Sequence, residues 1–126
     1  MQSPTLIIRP LAAQLTHDTE TFGKMDPVVE IHVGGRTYKT QCHNDGGKNP
    51  QWQDVFTHVL NGEQDFTFSV LDIDKVSKSD LIGEGRVNLA ETFQRHSTSN
   101  WCDITFKGKP AGKVLINLEI MAPQKH

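Results

Sequence analysis

Short apolar or β-branched runs alternate with turn signals along the chain, a rhythm that predicts strands. The runs are Thr5–Ala12, Val28–Val33, Arg36–Cys42, Trp52–Val59, Phe66–Ile73, Glu84–Leu89, Trp101–Phe106 and Lys113–Met121. Gly34-Gly35 separates two of them as a two-residue hairpin turn. Asn44-Asp45-Gly46-Gly47 and Lys107-Gly108-Lys109-Pro110 mark further turns. The last run alternates well, with Val114, Ile116, Leu118 and Ile120 on one face and Asn117 and Glu119 on the other. Only Leu89–Arg95 could hold a helical turn. Eight strands at this spacing predict an all-β fold, an eight-stranded antiparallel β-sandwich. One domain is expected over residues 1–126, with its core at about 5–121 and a frayed tail at 122–126. Trp52, Phe56, Phe66, Phe68 and Trp101 are expected to fill the core.

Strand parity places the first candidate chemistry. Phe66, Phe68 and Val70 share a face, and the same parity continues into Asp72 and Asp74. If the pleat persists, these carboxylates lie on the core-facing side but just beyond the core, at the rim of the sandwich. They belong to the run Asp72-x-Asp74-x5-Asp80, and a second acidic cluster, Asp18, Glu20 and Asp26, lies upstream. Two carboxylates about 4 Å apart repel by roughly 4 kcal/mol at an effective dielectric of about 20. Protons, basic partners or a metal must hold such a set together, and Lys24, Lys75 and Lys78 are too few to neutralise it. An all-oxygen cluster in flexible loops suits Ca2+ better than Mg2+, which wants stricter geometry, or Zn2+, which wants His or Cys. An EF-hand loop starting at Asp72 is excluded, because its fifth, sixth and twelfth positions fall on Val76, Ser77 and Gly83.

Composition narrows the partners. The 126 residues carry a net charge of -2, so no basic field points to nucleic acid. Cys42 and Cys102 lack metal-type spacing and are expected to be reduced, partly buried thiols. The opening Met-Gln-Ser-Pro-Thr has no basic leader, and Leu6-Ile7-Ile8 is broken at once by Arg9-Pro10. A cytoplasmic monomer is the expectation. None of the common hydrolase, P-loop or dinucleotide signatures occurs, so a non-enzymatic module is expected. His32, His43 and His58 show no metal partner in the sequence.

Three segments together resemble the C2 domain family. They are Gly23-Lys24-Met25-Asp26-Pro27-Val28-Val29, Lys48-Asn49-Pro50-Gln51-Trp52-Gln53-Asp54-Val55-Phe56, and Val70-Leu-Asp-Ile-Asp74 through Asp80-Leu-Ile-Gly83. The likeness is strongest to small single-C2 proteins of the plant elicitor-responsive kind. It implies a sandwich of the family's second, circularly permuted topology. It also implies two Ca2+ ions held by Glu20, Asp26, Asp72, Asp74 and Asp80, with backbone carbonyls of Thr19 and Ile73. The function it implies is calcium-dependent binding to an anionic phospholipid membrane, peripheral and reversible. Phe22, Lys24, Lys75, Val76 and Lys78 would then touch the membrane. Two departures stand out. Glu20 occupies a position that is usually Asp, and Val28 one that is usually Tyr. The concave face, with Glu30, His32 and Thr37 beside Arg36 and Lys39, lacks the lysine cluster that a phosphoinositide headgroup needs. The alternative is a calcium-independent protein-interaction domain with a weak or vestigial metal site.

Overall fold

The computed structural model describes residues 3–20, 23–73 and 79–123. Eight strands and one short helix follow in chain order: β1 (Thr5–Leu15), β2 (Pro27–Val33), β3 (Arg36–Lys39), β4 (Phe56–Val59), β5 (Asp65–Asp72), β6 (Asp80–Asn88), α1 (Ala90–Arg95), β7 (Ser97–Phe106) and β8 (Lys109–Met121). All strand pairs are antiparallel, in the hydrogen-bonded order β3-β2-β5-β6-β7-β8-β1-β4. The order folds over at β6–β7, where Glu84 and Thr105 are the one pair in register. Two four-stranded layers result, and one buried cluster fills the space between them. The sandwich expected from strand spacing is the architecture observed.

Alternation along each strand explains which residues meet in that cluster. Phe66, Phe68 and Val70 of β5 face Leu6 and Ile8 of β1 and Val114, Ile116 and Leu118 of β8 across the layers. Trp52, also buried, donates its indole N–H to the Pro27 carbonyl at 3.1 Å, so its polar tip is satisfied inside the core. Gly112 lets β8 run close beside β1. Its φ is +128°, and a Cβ there would collide with the Gln14 carbonyl oxygen. Cys42 and Cys102 form no disulfide and are partly buried, and the Cys42 thiol donates to the Asp26 carbonyl at 3.3 Å. Burial, with Asp103 beside it, pushes the Cys102 thiol up to about 11.

Several boundaries differ from the sequence expectation. β3 stops at Lys39, because Thr40 turns inward and its hydroxyl accepts from the Val29 N–H at 2.9 Å. β4 starts only at Phe56; the chain from Trp52 is instead tied to β1 by the Trp52 N–H on the Leu11 carbonyl. The predicted Trp52–Val59 and Arg36–Cys42 strands are thus both shortened to four residues. β7 and β8 start earlier than expected, at Ser97 and Lys109. Trp101 is a correction: it is 41% exposed on the outer face of β7, with Lys113 Nζ 5.2 Å from its ring centroid. It shares its parity with Asp103 and Thr105, both exposed, whereas Ile104 turns inward.

The two sides of the sandwich close by different means. On one side β6 and β7 pair through the backbone. On the other, β3 and β4 end the sheet order, and side chains span the gap. Tyr38 packs against Phe56 with ring centroids 5.5 Å apart. Its hydroxyl lies 2.8 Å from His58 Nδ1, and His58 Nε2 lies 3.1 Å from Glu63 Oε2. A carboxylate only accepts, so Nε2 carries the proton and, in the neutral ring, Nδ1 accepts from the tyrosine. Glu63 also accepts from the Asn61 N–H. Burial raises the Glu63 carboxyl, but the hydrogen bonds from Asn61, His58 and its own backbone N–H, with the His58 charge, hold it below its usual 4.5.

This packing separates the two tryptophans energetically. Trp52→Ala should destabilise the protein by about 3–5 kcal/mol, whereas Trp101→Ala should change stability by no more than about 0.5 kcal/mol, as measured by urea unfolding. Equal losses would contradict the assignment of Trp101 to the surface. The side-chain seam makes a prediction in acid. A carboxyl depressed in the folded state contributes stability above its unfolded value of 4.5, and that contribution fades as pH falls through the lower folded value. Glu63→Gln should therefore narrow its melting-temperature deficit relative to the parent as pH drops below that value. A deficit independent of pH would show that the carboxylate charge is not what matters.

Candidate functional site

One end of the sandwich gathers the acidic residues. The segment after β1 (residues 16–26), the start of β6 and the end of β5 all meet there. β5 delivers Asp72 by the same pleat that buries Phe66, Phe68 and Val70, and Asp72 is only 3% exposed. Its two oxygens are both engaged. Oδ2 accepts from the Thr19 hydroxyl at 2.7 Å, and Oδ1 accepts from the Asp26 N–H at 2.8 Å. Two residues of the segment after β1, Thr19 and Asp26, are thereby fastened to one buried carboxylate. The Ile73 N–H adds a backbone bond to the Asp26 carbonyl at 3.1 Å.

A β-bulge sets the partner across the ladder. Val70 pairs with Gly83, but Leu71 pairs with Leu81, so Ile82 is the extra residue and Asp72 comes to face Asp80. Without the bulge, Asp72 would oppose Leu81. Glu20 completes the group: one ligand oxygen each from Glu20, Asp72 and Asp80 lies within 4.8 Å of the others, with Glu20 and Asp80 exposed. All donors in this group are carboxylate oxygens, so the set fits a hard, oxygen-seeking cation such as Ca2+. The nearest imidazole in sequence, His17, is engaged elsewhere: Nδ1 donates to the Ile82 carbonyl at 2.8 Å, and the ring stacks on Phe106 at 4.2 Å.

The remaining expected residues divide three ways. Asp26 lies at the same end but outside the three-carboxylate group, and its Oδ1 accepts from the Asp45 N–H at 2.7 Å. Asp18 accepts from the Glu20 N–H at 2.9 Å, a local turn that shapes the segment carrying Glu20. Lys24 is exposed, its stem passing beside Gly47. Thr19 and Ile73, expected to serve through their carbonyls, sit at this end, where the Thr19 hydroxyl donates to Asp72 and the Ile73 N–H to the Asp26 carbonyl. Phe22, Asp74, Lys75, Val76 and Lys78 lie outside the described residues. The 43–47 turn was missed as part of the site, although its Asn-Asp-Gly-Gly composition marked a turn that could cap a neighbouring carboxylate.

No helix among the described residues is long and apolar enough to cross a membrane, which leaves strands unaddressed. Comparison with known proteins matches residues 5–104 to the family described as C2 domain. Mouse "Extended synaptotagmin-1" is 28% identical over 104 residues, which is 81% of this chain but 9% of that protein. "Elicitor-responsive protein 1" of rice (Oryza sativa subsp. japonica) is 31% identical over 75 residues, 56% of this chain and 47% of that protein. The chain therefore spans less than half the length of either relative. Among solved structures, the calcium-bound form of a two-domain piece of Extended-Synaptotagmin 2 superposes with a TM-score of 0.80 at 23% identity, over 95% of this chain and 46% of that one. With the sandwich, the bulge-registered carboxylates and the family match in agreement, this chain belongs to the C2 domain family.

Proposed function

We propose that this chain is a calcium-dependent module for binding anionic phospholipid, without catalytic activity of its own. The observation that carries the reading is the meeting of Glu20, Asp72 and Asp80 within 4.8 Å at one end of the sandwich. Three carboxylates so close repel strongly, and the repulsion falls when a cation sits among them. Bound Ca2+ supplies positive charge and open coordination positions that take phosphate oxygens from lipid headgroups. The chain contributes the rest. Asp72 is a fixed ligand, held by Thr19 and Asp26; Glu20 and Asp80 are exposed and adjustable. Two ions are the proposed stoichiometry, the second drawing on Asp26 and Asp74. Lys24, with Phe22, Lys75, Val76 and Lys78, is proposed to meet the membrane. A solved relative described as "calcium bound" shares the fold, which agrees with this reading.

A second reading has its own support. Both Asp72 oxygens and Asp26 Oδ1 already accept hydrogen bonds from the protein, so the rim is largely satisfied without metal. A calcium-independent interaction domain would look the same at these positions. The two readings part in solution. Under the first, Ca2+ should stabilise the protein, by about 2.7 kcal/mol at a hundredfold excess over Kd. Asp80→Asn, an exposed change, should weaken that effect at least tenfold in calcium concentration. A melting temperature unmoved by millimolar Ca2+ would rule out the first reading. Sedimentation with phosphatidylserine vesicles should likewise require Ca2+ and be lost in Asp72→Asn, whereas pelleting that persists in chelator would favour the second.

A further inference from the structure

Lys107-Gly108-Lys109 reads in the sequence as a mere turn, yet the topology carries it to the acidic end of the sandwich. Leu15, the last residue of β1, pairs with Gly112, so β8 continues past the end of β1 before turning into β7. Three residues of β8 lie beyond that pairing, which amounts to about 10 Å of extended chain. The overhang is not loose. The Ala111 carbonyl accepts from the Thr16 N–H at 2.9 Å and the His17 N–H at 3.4 Å, so the segment that carries Thr19 and Glu20 starts against it. The His17 ring, stacked on Phe106 at 4.2 Å, donates to the carbonyl of Ile82, the bulge residue that brings Asp80 opposite Asp72. Hairpin and carboxylate group therefore share one buttress.

The tip carries two positive charges. Lys107 and Lys109 are exposed, with Gly108 between them, and Lys107 Nζ rests 5.3 Å from the Phe106 ring centroid. Two ammonium groups projecting from a braced hairpin, beside a site read as facing anionic lipid, are complementary to a negatively charged leaflet.

We propose that the β7–β8 hairpin is a second membrane contact, in which Lys107 and Lys109 bind the anionic headgroups of the same bilayer that the carboxylate end engages. The proposal rests on the phospholipid reading above and adds to it a fixed electrostatic arm that needs no metal of its own. The arm sets the orientation of docking, because it lies to one side of the acidic group.

The test compares the parent chain with Lys107→Gln/Lys109→Gln and with Arg36→Gln/Arg95→Gln. The control removes the same charge from β3 and α1, near the opposite end. Affinity is measured for vesicles of phosphatidylcholine with phosphatidylserine in saturating Ca2+, and Ca2+ binding is measured without lipid. The lysine pair should cost about 25-fold in vesicle affinity at low salt and less at high salt, since each lysine near such a surface is worth about fivefold. Calcium affinity without lipid and melting temperature should stay unchanged, and the control pair should lose far less. Equal losses in both variants would assign the effect to net charge and overturn the hairpin contact. No loss in the lysine variant would overturn it while leaving the phospholipid reading intact. A parent chain that binds no vesicle would overturn both.

Discussion

A buried carboxylate organises the functional end of this protein. Asp72 stands at the last inward position of β5, where an apolar residue would simply lengthen the core. Burying an unpaired charge is costly, so its position is tolerable only because the Thr19 hydroxyl and the Asp26 N–H are delivered to it. The dependence runs both ways. Among the described residues of the segment after β1, Thr19 and Asp26 are placed by these two bonds, as Thr16 and His17 are by the Ala111 carbonyl. Core packing thus dictates where the loop goes, and the loop's hydrogen bonds are what make a charge admissible at the edge of the core.

Much of this was legible in the chain. Parity along Phe66, Phe68 and Val70 led to Asp72, and the structure places it on the core side at the rim, as the alternation implies. Parity also had the information to place Trp101, which shares its face with Asp103 and Thr105; size and hydrophobicity alone pointed the other way. The bulge at Ile82 was not legible. Leu81-Ile82-Gly83 carries no signal that one of three apolar or small residues is extra, and the expected strand began only at Glu84. Nor could the sequence show that His58, partnerless in the linear chain, joins Tyr38 to Glu63. That contact is set by the fold of the two layers, at a seam that no local pattern marks.

The two closures of the sandwich explain why the site can sit where it does. A backbone join at β6–β7 holds the layers together beside the rim, and Gly83 lets them come close there: a Cβ would meet Ile104 Cδ1 at 2.9 Å. The side-chain latch of Tyr38, His58 and Glu63 holds the opposite edge, with Glu63 tucked under the Gly34-Gly35 turn. That turn lies at the far end of β2 from Asp26. Titration of the latch is therefore physically separated from the carboxylate group.

Within the rim, the three carboxylates are unequal in a way that follows from how each is held. Asp72 is fixed by two hydrogen bonds and by burial. Asp80 is placed by the backbone register but is exposed. Glu20 is exposed on a loop and has one more methylene, hence more rotamer freedom to lose on binding. Calcium affinity scales with ligand charge and with the rigidity of the site. Under the proposed calcium reading, one buried, doubly hydrogen-bonded ligand and two exposed ones make a weaker site than three rigid ligands would. Under the same reading the extra methylene of Glu20, where aspartate is expected, weakens it further; the Glu20 N–H bond to Asp18 holds that residue's backbone, not its carboxylate.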